Sequence, residues 1–476
     1  MRNSILTLSL AIFVSSFFSN ALCADTVTPS LKEASVVTEV LPRGETITAV
    51  RLEYTEGIYS VEVGYAVPEQ APDSSAWKYR VAGRSIVNVY VNNSGKKDDV
   101  DLYGKYVFLD LDLRNSDFKT YRAEGPNPAT RTRPQVPAYT VNQISPVATR
   151  SGKTVAPTTL STTREICDGM DDYKTFAFKN EATGHTLYYH LFIPRGYESR
   201  SASAKNLPLV VHYPAGDYSI ADWTGKYRGA LFTHHDALYW SDEESQSQNP
   251  AFVVTLGGPS DPKWGAMDFS ESEMQQNYLK IIQKILADFN VDASRIYAVS
   301  LAGGSPAMWN TIIANPTLFA AEISTSYDPY HAYRSTQSGE DKLAILLKTI
   351  PGWFFAALND PTGTGILGAA DTRLKGERLR DIAAVMNKKG FNVDVAYGKE
   401  GELMWNGLLR GEKATKLAQA QLARAKAKNA SHLVTLYIPG TIPGNPHLSW
   451  DATYSNAAVR RWLFQQVSHV PYRSGK

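Results

Sequence analysis

The chain predicts an α/β fold: a doubly wound, mostly parallel sheet with helices on both faces, preceded by a small β-sandwich. Three observations carry this prediction. Before about residue 113, short apolar runs alternate with a period close to two. After about residue 164, strand-length apolar runs alternate with helical stretches. Between them, residues 114–163 are rich in Pro, Asn, Arg, Thr and Ser and show little periodicity. With 476 residues, 43% hydrophobic and 20% charged, the chain can bury more than one core.

The first elements concern export. Met1-Arg2-Asn3 precedes an apolar run from Ile5 to Phe18 that is too short to span a bilayer and suits a signal peptide over residues 1–24. Cleavage after Cys23 or Ala24 would send a chain without a transmembrane anchor to the periplasm or the extracellular medium. Cys167 would then be the sole cysteine, a lone small side chain with no disulfide partner. Residues 33–113 read as the sandwich, with strands over 45–54, 59–67, 84–91 and 106–113. Each strand buries one face, and the domain is expected either to brace its neighbour or to contact a surface. Residues 114–163 read as a linker.

The second domain is expected over residues 164–470. A hairpin through 175–179 and 186–194 leads to strands at 208–212, 251–256 and 295–299, then at 351–358, 393–397 and 433–438. Leu279, Ile282, Ile285, Leu286 and Phe289 form one stripe on a helix over 274–289 that should cover the sheet. Within an inserted segment 399–430, residues 411–428 predict an exposed helix rich in Ala, Lys, Gln and Glu. In such a sheet, binding sites belong at the carboxyl ends of the strands.

Charge and motif content narrow the partners. Lys plus Arg number 49 against 47 Asp plus Glu, so no broad positive field is available for nucleic acid, and an uncharged or weakly charged small molecule is the expected ligand. No metal or cofactor is implied. His234-His235-Asp236 lacks the helical histidine spacing of a metal site and reads as a surface loop or helix start; Gly257-Gly258-Pro259 and Gly303-Gly304 lack the lysine and hydroxyl of a phosphate loop.

The chemistry concentrates where the run Arg295-Ile296-Tyr297-Ala298-Val299-Ser300-Leu301-Ala302-Gly303-Gly304 passes from a strand into a helix beginning near Pro306. A sharp strand-to-helix corner with glycines is where a nucleophile elbow occurs. This stretch, followed by Trp309, resembles that of exported esterases and predicted peptidases of the α/β-hydrolase fold, related to polyhydroxyalkanoate depolymerases and feruloyl esterases. Some of these carry an amino-terminal immunoglobulin-like domain, which the first strand-rich region resembles. In that register the serine position is occupied by Ala302. Leu187-Tyr188-Tyr189-His190-Leu191-Phe192-Ile193-Pro194 resembles the family's opening hairpin, and Asn315-Pro316-Thr317-Leu318-Phe319-Ala320-Ala321 its helix end and next strand. Pro351-Gly352-Trp353-Phe354-Phe355-Ala356-Ala357-Leu358-Asn359-Asp360 is similar to the strand that delivers the acid, and Gly444-Asn445-Pro446-His447 with Trp450 to the loop that presents the base.

The resemblance implies that His447 would take the nucleophile's proton, that Asp360 would hold the imidazole, and that backbone donors near Tyr213, Pro214 and Gly303 would stabilise an oxyanion. Two parts depart from the family pattern. Ala302 has no oxygen to attack a carbonyl. Tyr213-Pro214-Ala215-Gly216 stands where His-Gly-Ala-Gly is expected, and proline cannot donate an N–H. Ser300 and Ser305 are the alternative nucleophiles; Ser305 also suits a helix start. Asp360 in Asn-Asp-Pro also suits a turn, and His447 could be an incidental loop histidine. The expected protein is esterase-like without ordinary serine catalysis, with a pocket for an acyl, aryl or glycan-like ligand walled by Tyr213, Trp264 and Trp450.

Overall fold

The computed structural model describes residues 28–42, 44–64, 77–113, 121–123, 131–134, 138–184, 186–197, 205–215, 228–259, 272–328, 337–361 and 374–472. The expected leader, Gly216 and Trp264 lie outside these residues.

The amino-terminal region is a sandwich. One sheet orders the strands Arg164–Cys167, Leu31–Leu41, Gly44–Tyr59, Tyr103–Leu111 and Ile86–Asn92; a smaller one orders Thr158–Ser161, Thr140–Gln143 and Tyr79–Val81. The core between them holds Val36, Val50, Leu52, Val89, Val107, Tyr79 and Val141, all buried. Alternation is what allows each strand to supply this layer.

Three boundaries differ from the sequence reading. The strand expected over 59–67 is instead the end of Gly44–Tyr59 followed by a 3-10 turn, Ser60–Val63, closed by Gly64 in the left-handed region. The segment read as a linker supplies two of the three strands of the second sheet, and Val141, Val147 and Val155 are buried there. These strands are too short, at four residues each, to announce themselves by periodicity. The helix Gly411–Ala427 is the crossover between two paired strands, Val393–Ala396 and His432–Tyr437. It buries Ala418 and Gln421, the latter bonded to Val434 O and Thr435 Oγ1. It is a regular crossover and not an insertion: its small Ala face packs inward, while Glu412, Lys413, Lys416 and Lys426 are exposed as the composition predicts.

The second region is a nine-stranded sheet in the order Tyr173–Lys179, Thr186–Phe192, Phe252–Pro259, Leu207–Tyr213, Val291–Leu301, Ala321–Thr325, Gly352–Ala357, His432–Tyr437, Val393–Ala396. The first two strands are antiparallel to their neighbours and the remaining seven run parallel. Continuous aliphatic runs suit strands covered on both faces, as in Leu209, Val210 and Val211, all fully buried. Helices Ser272–Asp288, Gly304–Ala314, Gln337–Thr349 and Lys375–Lys388 complete the crossovers. The architecture is thus α/β, with a largely parallel sheet behind a small sandwich.

Candidate active site

The corner strand Val291–Leu301 ends between Leu207–Tyr213 and Ala321–Thr325, in the middle of the sheet. Its next residue, Ala302, has φ +44°, a left-handed conformation that costs a residue with a Cβ roughly 1–2 kcal/mol. Two bonds hold it: Ala302 N–H donates to Thr325 O at 2.9 Å, and Ala302 O accepts from Ser305 N–H at 3.1 Å. The helix Gly304–Ala314 starts at once. A Cβ on Gly304 would lie 2.4 Å from both Tyr213 O and Pro214 O, so only glycine lets the helix start pass that close to the neighbouring strand end. The corner has elbow geometry and a methyl group at its tip.

The resemblance's acid and base meet across the sheet. Asp360 follows the strand Gly352–Ala357 in a turn closed by Asp360 N–H to Ala357 O at 3.1 Å. His447 sits in a 3-10 turn, Pro446–Leu448, capped by Asn445, whose Oδ1 accepts from His447 N–H at 2.9 Å. Its Nδ1 lies 2.8 Å from Asp360 Oδ2; the carboxylate is fully buried and the imidazole side chain keeps 15% exposure. Residues 87 positions apart therefore form one hydrogen-bonded pair with the imidazole at the accessible end.

Other expected residues fall differently. Ser300 and Ser305 are fully buried and bond to each other at 2.9 Å, while Ser300 O accepts from Tyr454 OH at 2.7 Å. Ser300 stays within the strand, and Ser305 within the first turn of the helix. Tyr213 is not a pocket wall: strand alternation turns it into the core with Leu209 and Val211, where its ring meets Tyr278 edge-on at 5.9 Å. Trp450 is 2% exposed and has its ring between two imidazoles, His447 at 5.5 Å and His234 at 4.9 Å. His234-His235-Asp236 is not a surface loop. His234 packs on Trp450, His235 Nδ1 bonds Val40 O in the sandwich, and Asp236 pairs with His212 at 2.8 Å, so the three side chains diverge.

Three residues near the pair carried no sequence signal. Ser326 follows Ala321–Thr325 with φ +55°, and its Oγ lies 2.7 Å from Ser449 Oγ. Lys375, in the first turn of its helix and 2% exposed, donates from Nζ to Ser326 O at 3.1 Å. Burial pushes its amine below the usual lysine range, opposed by the Asp360 and Asp328 carboxylates. Among the described residues, no cluster of His, Cys, Asp and Glu could hold a metal, and no helix is long and apolar enough to cross a membrane.

Comparison with known proteins bears on the fold of both domains. Residues 33–156 match the family described as the esterase Ig-like N-terminal domain, a range that continues into the segment read as a linker. The chain is 25% identical to a thermostable esterase of known crystal structure, covering 92% of this chain and 100% of that one with a TM-score of 0.66. It is also similar, remotely, to an enterochelin esterase from Shigella flexneri, at 11% identity over 92% and 95% of the two chains with a TM-score of 0.37. An S-formylglutathione hydrolase from Agrobacterium tumefaciens gives 11%, 62%, 95% and 0.35 for the same four quantities. Of these three likenesses, the last two are too remote to bear on function. No curated protein matches the chain.

Proposed function

We propose that this chain is an exported, esterase-like protein of α/β-hydrolase fold whose pocket around Ala302, Asp360 and His447 binds an acyl, aryl or glycan-like ligand without acyl transfer through a serine. An amino-terminal Ig-like domain and an esterase-like second domain are the coarse frame of this reading, and the likeness to a thermostable esterase spans both.

The observation that carries the reading is the side chain at the corner. Ala302 occupies a left-handed strand-to-helix turn at the end of the central strand, where an attacking oxygen would be held, and a methyl group cannot form an acyl intermediate. The pair Asp360–His447 supports retention of a pocket, since a buried carboxylate facing a partly exposed imidazole suits recognition of a polar ligand atom as well as proton transfer. Pro214 removes one N–H from the loop expected to stabilise an oxyanion, which lowers the expected turnover further.

Two measurements test this. The purified mature chain should hydrolyse short p-nitrophenyl esters no faster than its His447→Ala variant; a clear excess in the wild type would sink the non-catalytic reading. A fluorophosphonate probe should leave no adduct, whereas an adduct mapped to Ser300 or Ser305 would establish the alternative nucleophile. The complete burial of both hydroxyls argues against that second outcome.

A further inference from the structure

Three parts of the site come from distant stretches of chain: the corner at 302, the acid at 360 and the base at 447. One side chain stands where their supports converge. Lys375 begins the helix Lys375–Lys388, and its own N–H donates to Asp360 O at 3.0 Å. Its Nζ reaches Ser326 O at 3.1 Å and lies over the Tyr327 ring, 4.7 Å from the centroid. Ser326 directly follows Thr325, whose carbonyl accepts the Ala302 N–H at 2.9 Å. Ser326 Oγ meets Ser449 Oγ at 2.7 Å, two residues beyond His447.

The local backbone is shaped to admit this helix start. A Cβ on Gly376 would lie 2.4 Å from Leu358 Cα and 2.5 Å from Ala357 O, so glycine permits the first helical turn to lie against the acid's turn. Lys375 is thereby held in a buried position, although burial of an ammonium is costly unless nearby groups compensate. The compensation comes from Asp360 and Asp328, from the Ser326 carbonyl and from the Tyr327 ring. Arg378 opposes it, being itself paired with Asp328 at 3.1 Å.

We propose that Lys375 is a positioning residue for the Asp360–His447 pair, bracing the acid's turn against the strand end that carries Ser326 and opposing protonation of His447 through a charge that interacts with Asp360. The inference rests on Asp360 and His447 being the acid and base of the site, and it goes beyond the ligand-binding reading by assigning a control over the state of the base. Among the described residues, the charged or titratable groups that face this network include Asp360, Asp328, Arg378 and Tyr327 around the lysine, with Asp360 and, across Trp450, His234 around the imidazole. A lysine serving only to fill space would leave the imidazole's titration unchanged on replacement by an apolar side chain of similar length.

The test is an NMR titration of the full mature chain labelled at histidine, with the His447 signals assigned by their loss in His447→Ala. In Lys375→Met the His447 midpoint should rise by about 0.5 pH unit or more, because a nearby positive charge that disfavours the imidazolium has been removed. Lys375→Arg, which keeps the charge, should return the midpoint to near the wild-type value. An unchanged midpoint in Lys375→Met overturns the proposal. Should that variant not fold, Lys375→Gln keeps a donor for Ser326 O without the charge, and an unshifted midpoint there overturns it equally. Ester turnover by the wild-type chain would overturn the ligand-binding reading while leaving this titration result standing, so the two failures are distinguishable.

Discussion

The corner at Ala302 and the pair Asp360–His447 differ in what backbone and side chain each supply. At the pair, both side chains suited to proton transfer are present and bonded at 2.8 Å. At the corner, the backbone is left-handed and the side chain is a methyl group. Backbone strain of this kind persists only where surrounding structure imposes it. Here the Thr325 carbonyl and the close pass of Gly304 over Tyr213 and Pro214 impose it. The lesson is that an elbow is a property of the sheet and of its glycines, independent of the group at its tip.

The largest test of that contrast is Ala302→Ser. If the corner still aims at His447, p-nitrophenyl acetate hydrolysis should rise by roughly 10³-fold or more, on the scale by which removing a nucleophile disables such sites. The gain should vanish when His447→Ala is added. No gain, with the fold intact by circular dichroism, would mean that the two regions no longer align. Adding Pro214→Gly to Ala302→Ser returns an N–H to the oxyanion side, and a further increase of roughly 10²-fold in kcat is expected. An unchanged kcat would locate the oxyanion donors elsewhere.

Stability measurements sharpen the comparison from the backbone side. Gly304→Ala places a Cβ 2.4 Å from two carbonyl oxygens, and equilibrium urea unfolding should show a loss of about 3 kcal/mol. A loss below about 1 kcal/mol would show that the helix start yields easily. The smallest effect is Ala302→Gly. Relief of the left-handed strain, partly offset by glycine's greater freedom in the unfolded chain, should leave the protein about 0.5 kcal/mol more stable. A variant less stable than wild type would show that the methyl group's packing outweighs the strain.

Legibility followed length and local chemistry. Six of the seven parallel strands and the helix Ser272–Asp288 were readable because each is a continuous or periodic apolar run, whereas the short strand Ala321–Thr325 was reached only through the resemblance. The resemblance grouped Ala302, Asp360 and His447, each in a stretch with its own turn or strand pattern, and of these Asp360 and His447 are bonded at 2.8 Å. The second sheet of the sandwich was not, since Thr140–Gln143 and Thr158–Ser161 are short and polar, and most of their residues remain accessible. Tyr213 was read one face wrong because its neighbours in sequence do not reveal which side of a fully covered strand faces the site. Lys375, Ser326 and Ser449 come together only through three crossovers, and a lone lysine or serine carries no pattern of its own.

The strand Arg164–Cys167 pairs in parallel with Leu31–Leu41, so the polypeptide returns to the sandwich immediately before entering the larger domain. It thereby covers what would otherwise be a sheet margin of unpaired amides and carbonyls, the kind of margin that recruits other chains. The last strand of the sandwich thus ends at Cys167, six residues before the first strand of the larger domain. A gene cut at the conventional place, just ahead of the hydrolase-like region, would strip that cover and yield an amino-terminal fragment inclined to aggregate.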